Sequence, residues 1–151
     1  MIRTEIMQAA IAEAREAFEH GEIPVGAVIV REGEVIASAR NQNREAGNPV
    51  LHAEMIAIQK ACAAVGNERL TDCDLYITKE PCAMCAGAIV HARIRRLVIG
   101  ARDQRYGACG TALSVCGNPL LNHVPEIEFG LLGVEAAELL REFFKLRRAE
   151  D

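Results

Sequence analysis

Two short segments carry residue types that do chemistry: His52-Ala53-Glu54 and, further along, Pro81-Cys82-Ala83-Met84-Cys85. Zinc takes histidine and cysteine ligands, and two cysteines one helical turn apart can grip one ion from a helix N-terminus. The positive end of that helix lowers the thiol pKa and favours the thiolates that bind metal. His52, at the start of another helix, offers a third ligand. Three protein ligands leave one tetrahedral position open for water, as a catalytic zinc requires and a structural one does not. Glu54 need not touch the metal. A carboxylate pointed at the open position can take a proton from the water and return it to a substrate, as general base and then general acid.

Each residue also has a plainer role. A glutamate in a first helical turn often only complements the dipole, a histidine there often caps the helix, and C-x-x-C can be a redox pair. A redox pair leaves His52 and Glu54 without a function. Taken in order, each segment opening its own helix, the residues point to a hydrolytic centre with one zinc ion per chain.

The elements that must position these groups show in the periodicity. Thr4 to His20 places Met7, Ala10, Ile11, Ala14 and Phe18 at helical spacing, and Gly21 is a stop. Pro24 to Val30 reads as a buried strand, joined through Glu32-Gly33 to a second strand from Val35 to Ala39. After a polar loop ending in Asn48-Pro49, a helix runs from His52 to Val65. Leu75 to Thr78 is a strand, Cys82 to His91 a helix opened by Pro81, and Leu97 to Ile99 a strand. Thr111 to Val115 is expected to form a short helix, Ile127 to Phe129 a fifth strand, and Val134 to Arg147 an amphipathic helix. Helices alternating with strands imply an α/β fold with a mixed sheet covered on both faces.

The 151 residues suit one domain, 1–151, and a composition half hydrophobic and a quarter charged excludes a disordered chain. With no Trp, two Tyr and four Phe, the core must be aliphatic. The longest apolar run, Cys82 to Val90, is about half of what a membrane span needs. Charges at Arg3, Glu5, Glu13, Arg15 and Glu16 break up the N-terminus, so a soluble, cytoplasmic chain without a signal peptide or membrane partner is expected. The six cysteines are then free thiols or metal ligands, and Cys62, Cys73, Cys109 and Cys116 lack metal spacing. A net charge of −4 excludes a broad basic surface for nucleic acid but allows a local basic patch. Lys145, Arg147 and Arg148 are such a patch, or else cations complementing a helix end.

H-x-E followed by P-C-x-x-C is the signature of zinc nucleobase deaminases. With Ile23-Pro24-Val25-Gly26-Ala27-Val28, Asn41, Glu80-Pro81-Cys82-Ala83-Met84-Cys85-Ala86-Gly87-Ala88, Gly100-Ala101-Arg102-Asp103, Leu121-Asn122-His123 and Phe143 to Arg148, the chain resembles the zinc-dependent cytidine deaminase superfamily. Within it, the chain is most similar to the bacterial tRNA adenosine deaminases. The resemblance implies a three-layer αβα sandwich on a five-stranded sheet, a homodimer, and deamination of the wobble adenosine of a tRNA anticodon to inosine. It matches His52, Cys82 and Cys85 to the zinc ligands and Glu54 to the proton shuttle. It also matches Asn41 to the side chain holding the target base, Ile23 to an apolar pocket wall, and Asp103 to a position near the bound nucleic acid. Of Phe143 and Phe144, one packs in the core and the other is open to stack on a flipped base. Phe144 is taken as the substrate-facing one. His123 is either near the active site, as the resemblance puts it, or a solvated loop histidine. The chain departs from the branch at Asn48-Pro49-Val50-Leu51, at Lys79 and at Arg105-Tyr106-Gly107, none of which touches the metal motif. The alternatives are a deaminase of a free nucleobase or nucleoside, guanine or cytosine in type, and a non-catalytic module built on structural zinc.

Overall fold

A computed structural model describes residues 2–150. In chain order the elements are α1 (Arg3–Glu19), β1 (Gly26–Arg31), β2 (Glu34–Arg40), α2 (Ala53–Val65), β3 (Cys73–Lys79), α3 (Ala83–Ala92), β4 (Arg96–Ala101), β5 (Glu126–Phe129) and α4 (Gly133–Glu150). The strands form one five-stranded sheet in the order β2-β1-β3-β4-β5. The β1–β2 and β1–β3 pairs are antiparallel, while β3–β4 and β4–β5 are parallel. The mixed sheet expected from sequence is present.

Successive side chains of a strand point to opposite faces, so an all-apolar strand must be covered on both. Ala27 and Ile29, Leu75 and Ile77, and Leu97 and Ile99 face Ala53, Ala57 and Ala61 of α2 and Ala86 and Ile89 of α3. Val28, Val30, Tyr76 and Val98 face Ile6, Met7, Ala10 and Ile11 of α1. On this second face α4 packs over β4 and β3 beside α1, burying Ala136 and Phe143. These layers make the αβα sandwich. Each large aliphatic side chain so buried contributes roughly 1.5–3 kcal/mol, which explains a stable core with few aromatics.

Two local features fix the framework. A Cβ on Gly26 would collide with the carbonyl of Ala10, so the close crossing of α1 over β1 requires glycine there. The β1–β2 turn is the two-residue loop Glu32-Gly33, with φ of 52° and 78°, the mirror-image geometry that matches strand twist.

The short helix expected over Thr111 to Val115 is not formed. The segment is a tight loop with an isolated bridge between Cys109 and Ser114. Its amides turn inward instead of along an axis: Ala112 and Leu113 both donate to the Gly107 carbonyl, and Thr111 donates to the Glu80 carboxylate. A buried acceptor outcompeted the i to i−4 pattern.

Candidate active site

The β3–α3 turn emerges at one end of the sheet, and α2 starts against it. His52 is the N-cap residue of α2 and Cys82 that of α3, both with extended backbones (φ −76°, ψ 155° and φ −74°, ψ 178°). Neither side chain caps its own helix. They turn towards each other instead.

The start of α2 is held by Asn41, which ends the run of β2 and is only 6% exposed. Its Oδ1 accepts from the Ala53 N–H at 2.8 Å, and its Nδ2 donates to the Ile23 carbonyl at 3.2 Å. Its backbone N–H donates to the Val25 carbonyl. The structure therefore brings Ile23, Asn41 and the His52 turn together, and uses Asn41 to lock the helix that carries His52 and Glu54. Ile23 is half-buried against the core.

His52 Nδ1 lies 3.7 Å from Cys82 Sγ and 3.5 Å from Cys85 Sγ. All three ligand atoms fall within 4.8 Å of one another. A tetrahedral ion with Zn–N of about 2.0–2.1 Å and Zn–S of about 2.3 Å sets N···S at about 3.5 Å. The donor set and its spacing fit zinc. The electrostatics agree. Cys82 is held down to about 3, first by the hydrogen bond from the Cys85 thiol and then, against burial, by His52. Cys85 is raised by the same hydrogen bond and by burial, and His52 is raised by its hydrogen bond to Cys82. The negative charge held on Cys82 suits a cation in this space.

Glu54, one residue into α2 from Ala53, is 4% exposed. Burial raises its carboxyl above the usual carboxylate range. A carboxyl raised in this way beside three metal donors is suited to exchange protons with a group held there.

Asp103, in the loop after β4, is engaged locally. Its carboxylate accepts from the N–H groups of Arg105 and Tyr106 and pairs with Lys79 Nζ at 3.0 Å. Although burial works against it, those amides and the Lys79 ammonium hold Asp103 below its ordinary range. Phe143 is buried edge-on to Phe18, and Phe144 is 41% exposed with its ring edge-on to Phe143. Core packing therefore falls to Phe143 and an open face to Phe144. His123 Nε2 makes a 2.6 Å hydrogen bond with the Ile94 carbonyl, just before β4 begins. That is the opposite end of the parallel β3–β4 pair from Cys82, so His123 ties a loop to the sheet away from the metal donors. Burial pushes the Cys73 thiol up to about 11 and raises Cys62, while a hydrogen bond donated to Cys116 and burial raise Cys109. These cysteines are protonated packing groups.

Sequence reasoning left Glu80 without a role. It is 2% exposed and accepts hydrogen bonds from the loop that follows β4. A charged residue between an apolar strand and Pro81 was the signal that could have found it.

Comparison with known proteins agrees with this geometry. The family described as the cytidine and deoxycytidylate deaminase zinc-binding region matches residues 2–101, a span that contains His52, Glu54, Cys82 and Cys85. The tRNA-specific adenosine deaminase of Agrobacterium fabrum (strain C58 / ATCC 33970) is 47% identical over 149 residues, 99% of this chain and 98% of its own length. The protein of that name from Aquifex aeolicus (strain VF5) is 44% identical over 142 residues, 94% of this chain and 93% of its own length. A structure solved in work on A-to-I editing by tRNA:A34 deaminases at the wobble position superposes with a TM-score of 0.88 at 47% identity, over 91% of this chain and 100% of that one.

Proposed function

The chain belongs to the cytidine and deoxycytidylate deaminase zinc-binding family, and on that premise we propose that residues 1–151 form one deaminase domain that converts the wobble adenosine of a tRNA anticodon to inosine, releasing ammonia. The observation that carries the chemistry is the convergence of His52 Nδ1, Cys82 Sγ and Cys85 Sγ beside a buried Glu54. The substrate rests on the near full-length identity to proteins named tRNA-specific adenosine deaminases.

His52, Cys82 and Cys85 would hold the zinc, whose contribution when bound is to lower the pKa of water to about 7 and so make a nucleophile available at neutral pH. Glu54 moves the protons. Its carboxylate takes one from the attacking water and places it on ring N1 of adenine as the C6–O bond forms. It takes a second from the hydroxyl now on C6 and places it on the C6 amine, so that the C–N bond breaks, the C6 carbonyl forms and neutral ammonia leaves. The Asn41 amide keeps a second N–H and a second lone pair beyond the bonds to Ile23 and Ala53, and these are free to hold the target base. Ile23 offers that base an apolar wall, Asp103 lies on the loop that meets the flanking nucleotides, and Phe144 presents a stacking face. A base in a duplex is out of reach, so the nucleotide is extruded from the anticodon loop.

The protein acts in the cytoplasm as a homodimer in this reading. The four cysteines outside the metal motif, none in a disulfide, support a reducing compartment, and no helix among the described residues is long and apolar enough to cross a membrane. The exposed Leu120, Leu121 and Val50 supply apolar surface for a second copy. Ammonia release from an anticodon stem-loop, set against free adenosine, guanine and cytosine, tests the substrate. Activity on the stem-loop with little on free adenosine is expected. Efficient turnover of a free base and none of the stem-loop would assign the chain to free nucleobases instead.

A further inference from the structure

The loop of residues 103–111 has neither helix nor strand to satisfy its amides, yet it lies against the metal-bearing turn. Buried backbone N–H groups must find acceptors. Here one side chain supplies them. Glu80 Oε1 accepts from the Asp103 N–H at 3.1 Å and from Thr111 Oγ1–H at 2.5 Å. Its Oε2 accepts from the Cys109 N–H at 3.0 Å and from the Thr111 N–H at 3.2 Å. Four donors satisfy a carboxylate that is almost completely removed from water, which offsets the desolvation of the charge.

The main chain crosses the same junction twice. The Glu80 N–H donates to the Ala101 carbonyl and the Ala108 N–H to the Pro81 carbonyl, each at 2.8 Å. The loop is also shaped around the carboxylate. A Cβ on Gly107 would stand 2.5 Å from Glu80 Oε1 and 2.6 Å from the Asp103 carbonyl, so any side chain there would expel the acceptor. Lys79, the neighbour of Glu80, pairs with the Asp103 carboxylate while Glu80 holds the Asp103 N–H. Residues 79 and 80 therefore grip the first residue of the loop by side chain and main chain. Two residues on, Cys82 begins the metal-bearing turn.

We propose that Glu80 is a positioning residue whose carboxylate, seated over Gly107, fixes the 103–111 loop to the Cys82–Cys85 turn and so sets the distance between the metal donors and the substrate-facing edge of the pocket. This rests on the deaminase reading above for what the edge does, but not for the fixing itself. Glu80 touches no reacting atom. Its effect falls on the geometry in which an RNA loop is received.

Glu80→Gln in the zinc-loaded full chain tests it. An amide keeps one oxygen and turns an NH₂ towards N–H donors, leaving unpaired either the Asp103 N–H or those of Cys109 and Thr111. Amide exchange at Asp103, Cys109 and Thr111 is expected to accelerate at least about tenfold while the amides of β1 keep their protection. Zinc stays at one ion per chain, and KM for an anticodon stem-loop rises by about 10- to 100-fold, more than kcat falls. Gly107→Ala, whose Cβ presses on both the carboxylate and the Asp103 carbonyl, loosens the same loop, and the double variant is no worse than either single one. Unchanged exchange at the three amides in folded Glu80→Gln overturns the proposal, as does loss of zinc with the loop still protected. Should Glu80→Gln not fold, Glu80→Asp, which keeps the charge but draws it back from its donors, decides alone: accelerated exchange at Asp103, Cys109 and Thr111 supports the proposal, and wild-type exchange overturns it. Exchange and zinc content need no substrate. A wild-type protein inactive on the stem-loop therefore sinks the substrate reading without touching this result.

Discussion

In the proposed mechanism Glu54 accepts and donates protons within one turnover, and its burial bears on that task. Burial raises its pKa, while its own backbone and His52, two residues away, work in the opposite direction. Glu54→Gln keeps the shape and the hydrogen-bonding capacity but cannot accept a proton. It should retain zinc and bind the stem-loop nearly as the wild type does, while kcat falls by more than the roughly 10²–10⁴-fold typical of one acid–base group, because the same carboxylate serves several transfers. Single-turnover rates with zinc content measured on the same sample check this. Full zinc with near-normal turnover would remove Glu54 from the mechanism. The residue types and spacing at 52, 54, 82 and 85 were enough to foresee this constellation, because both segments open helices and a helix start is a local, readable event. Glu80 was not foreseen, because its donors lie 23 to 31 residues further along the chain and belong to a segment without periodicity.

At the scale of elements, the two ligand-bearing helices are alike in leaving their N-cap side chains unused for capping, which frees those side chains to meet across the gap. Something else must then secure each helix start, and for α2 it is Asn41. The resemblance implied a base-binding role for this residue. The geometry adds a structural one. Asn41→Ala leaves the Ala53 N–H and the Ile23 carbonyl without their partner, at a cost of about 1–3 kcal/mol for buried groups. A lower Tm and weaker zinc affinity are therefore expected in addition to poorer substrate use, and Asn41→Asp, which keeps the acceptor for Ala53, should recover part of the Tm. Calorimetry with a zinc-competition titration measures both. A wild-type Tm and zinc affinity in Asn41→Ala would show that α2 needs no such lock. The strands of the core were legible for a related reason: Val28 against Ile29, or Tyr76 against Ile77, can only be buried together if both faces are covered. The 111–115 segment was misread because its apolar residues, Ala112, Leu113 and Val115, imitate one helical turn. Its backbone is committed to Gly107, Ala108 and a distant carboxylate.

On the scale of the whole molecule the difficulty is charge, since a protein of net charge −4 is proposed to bind a polyanion. Average charge is the wrong measure when the charges are unevenly spent. Arg31 is paired with Asp72, Arg40 with Glu45, Arg95 with Asp74, Arg96 with Glu126 and Arg3 with Glu128, so these cations mostly join neighbouring segments of the fold. The last turns of α4 are different. Lys145 and Arg148 are exposed and take part in no ion pair among the described residues, and Arg147 lies over the Phe143 ring with its centroid 5.7 Å away. These three cations stand next to the exposed Phe144, so a stacking face and a phosphate-binding patch adjoin on one helix. If they meet RNA phosphates, binding releases condensed counterions, and affinity falls with salt at about 0.7 log units per log unit for each single-strand phosphate contact. KM for the stem-loop should therefore climb steeply between low and physiological salt despite the acidic average. Replacing Lys145, Arg147 and Arg148 by Ala should raise KM at low salt and flatten the slope by about 2, with zinc content unchanged. The alternative role of these residues, as cations complementing a helix C-terminus, predicts a lower Tm and an unaltered salt slope. A triple variant with the wild-type slope would move the RNA interface away from α4.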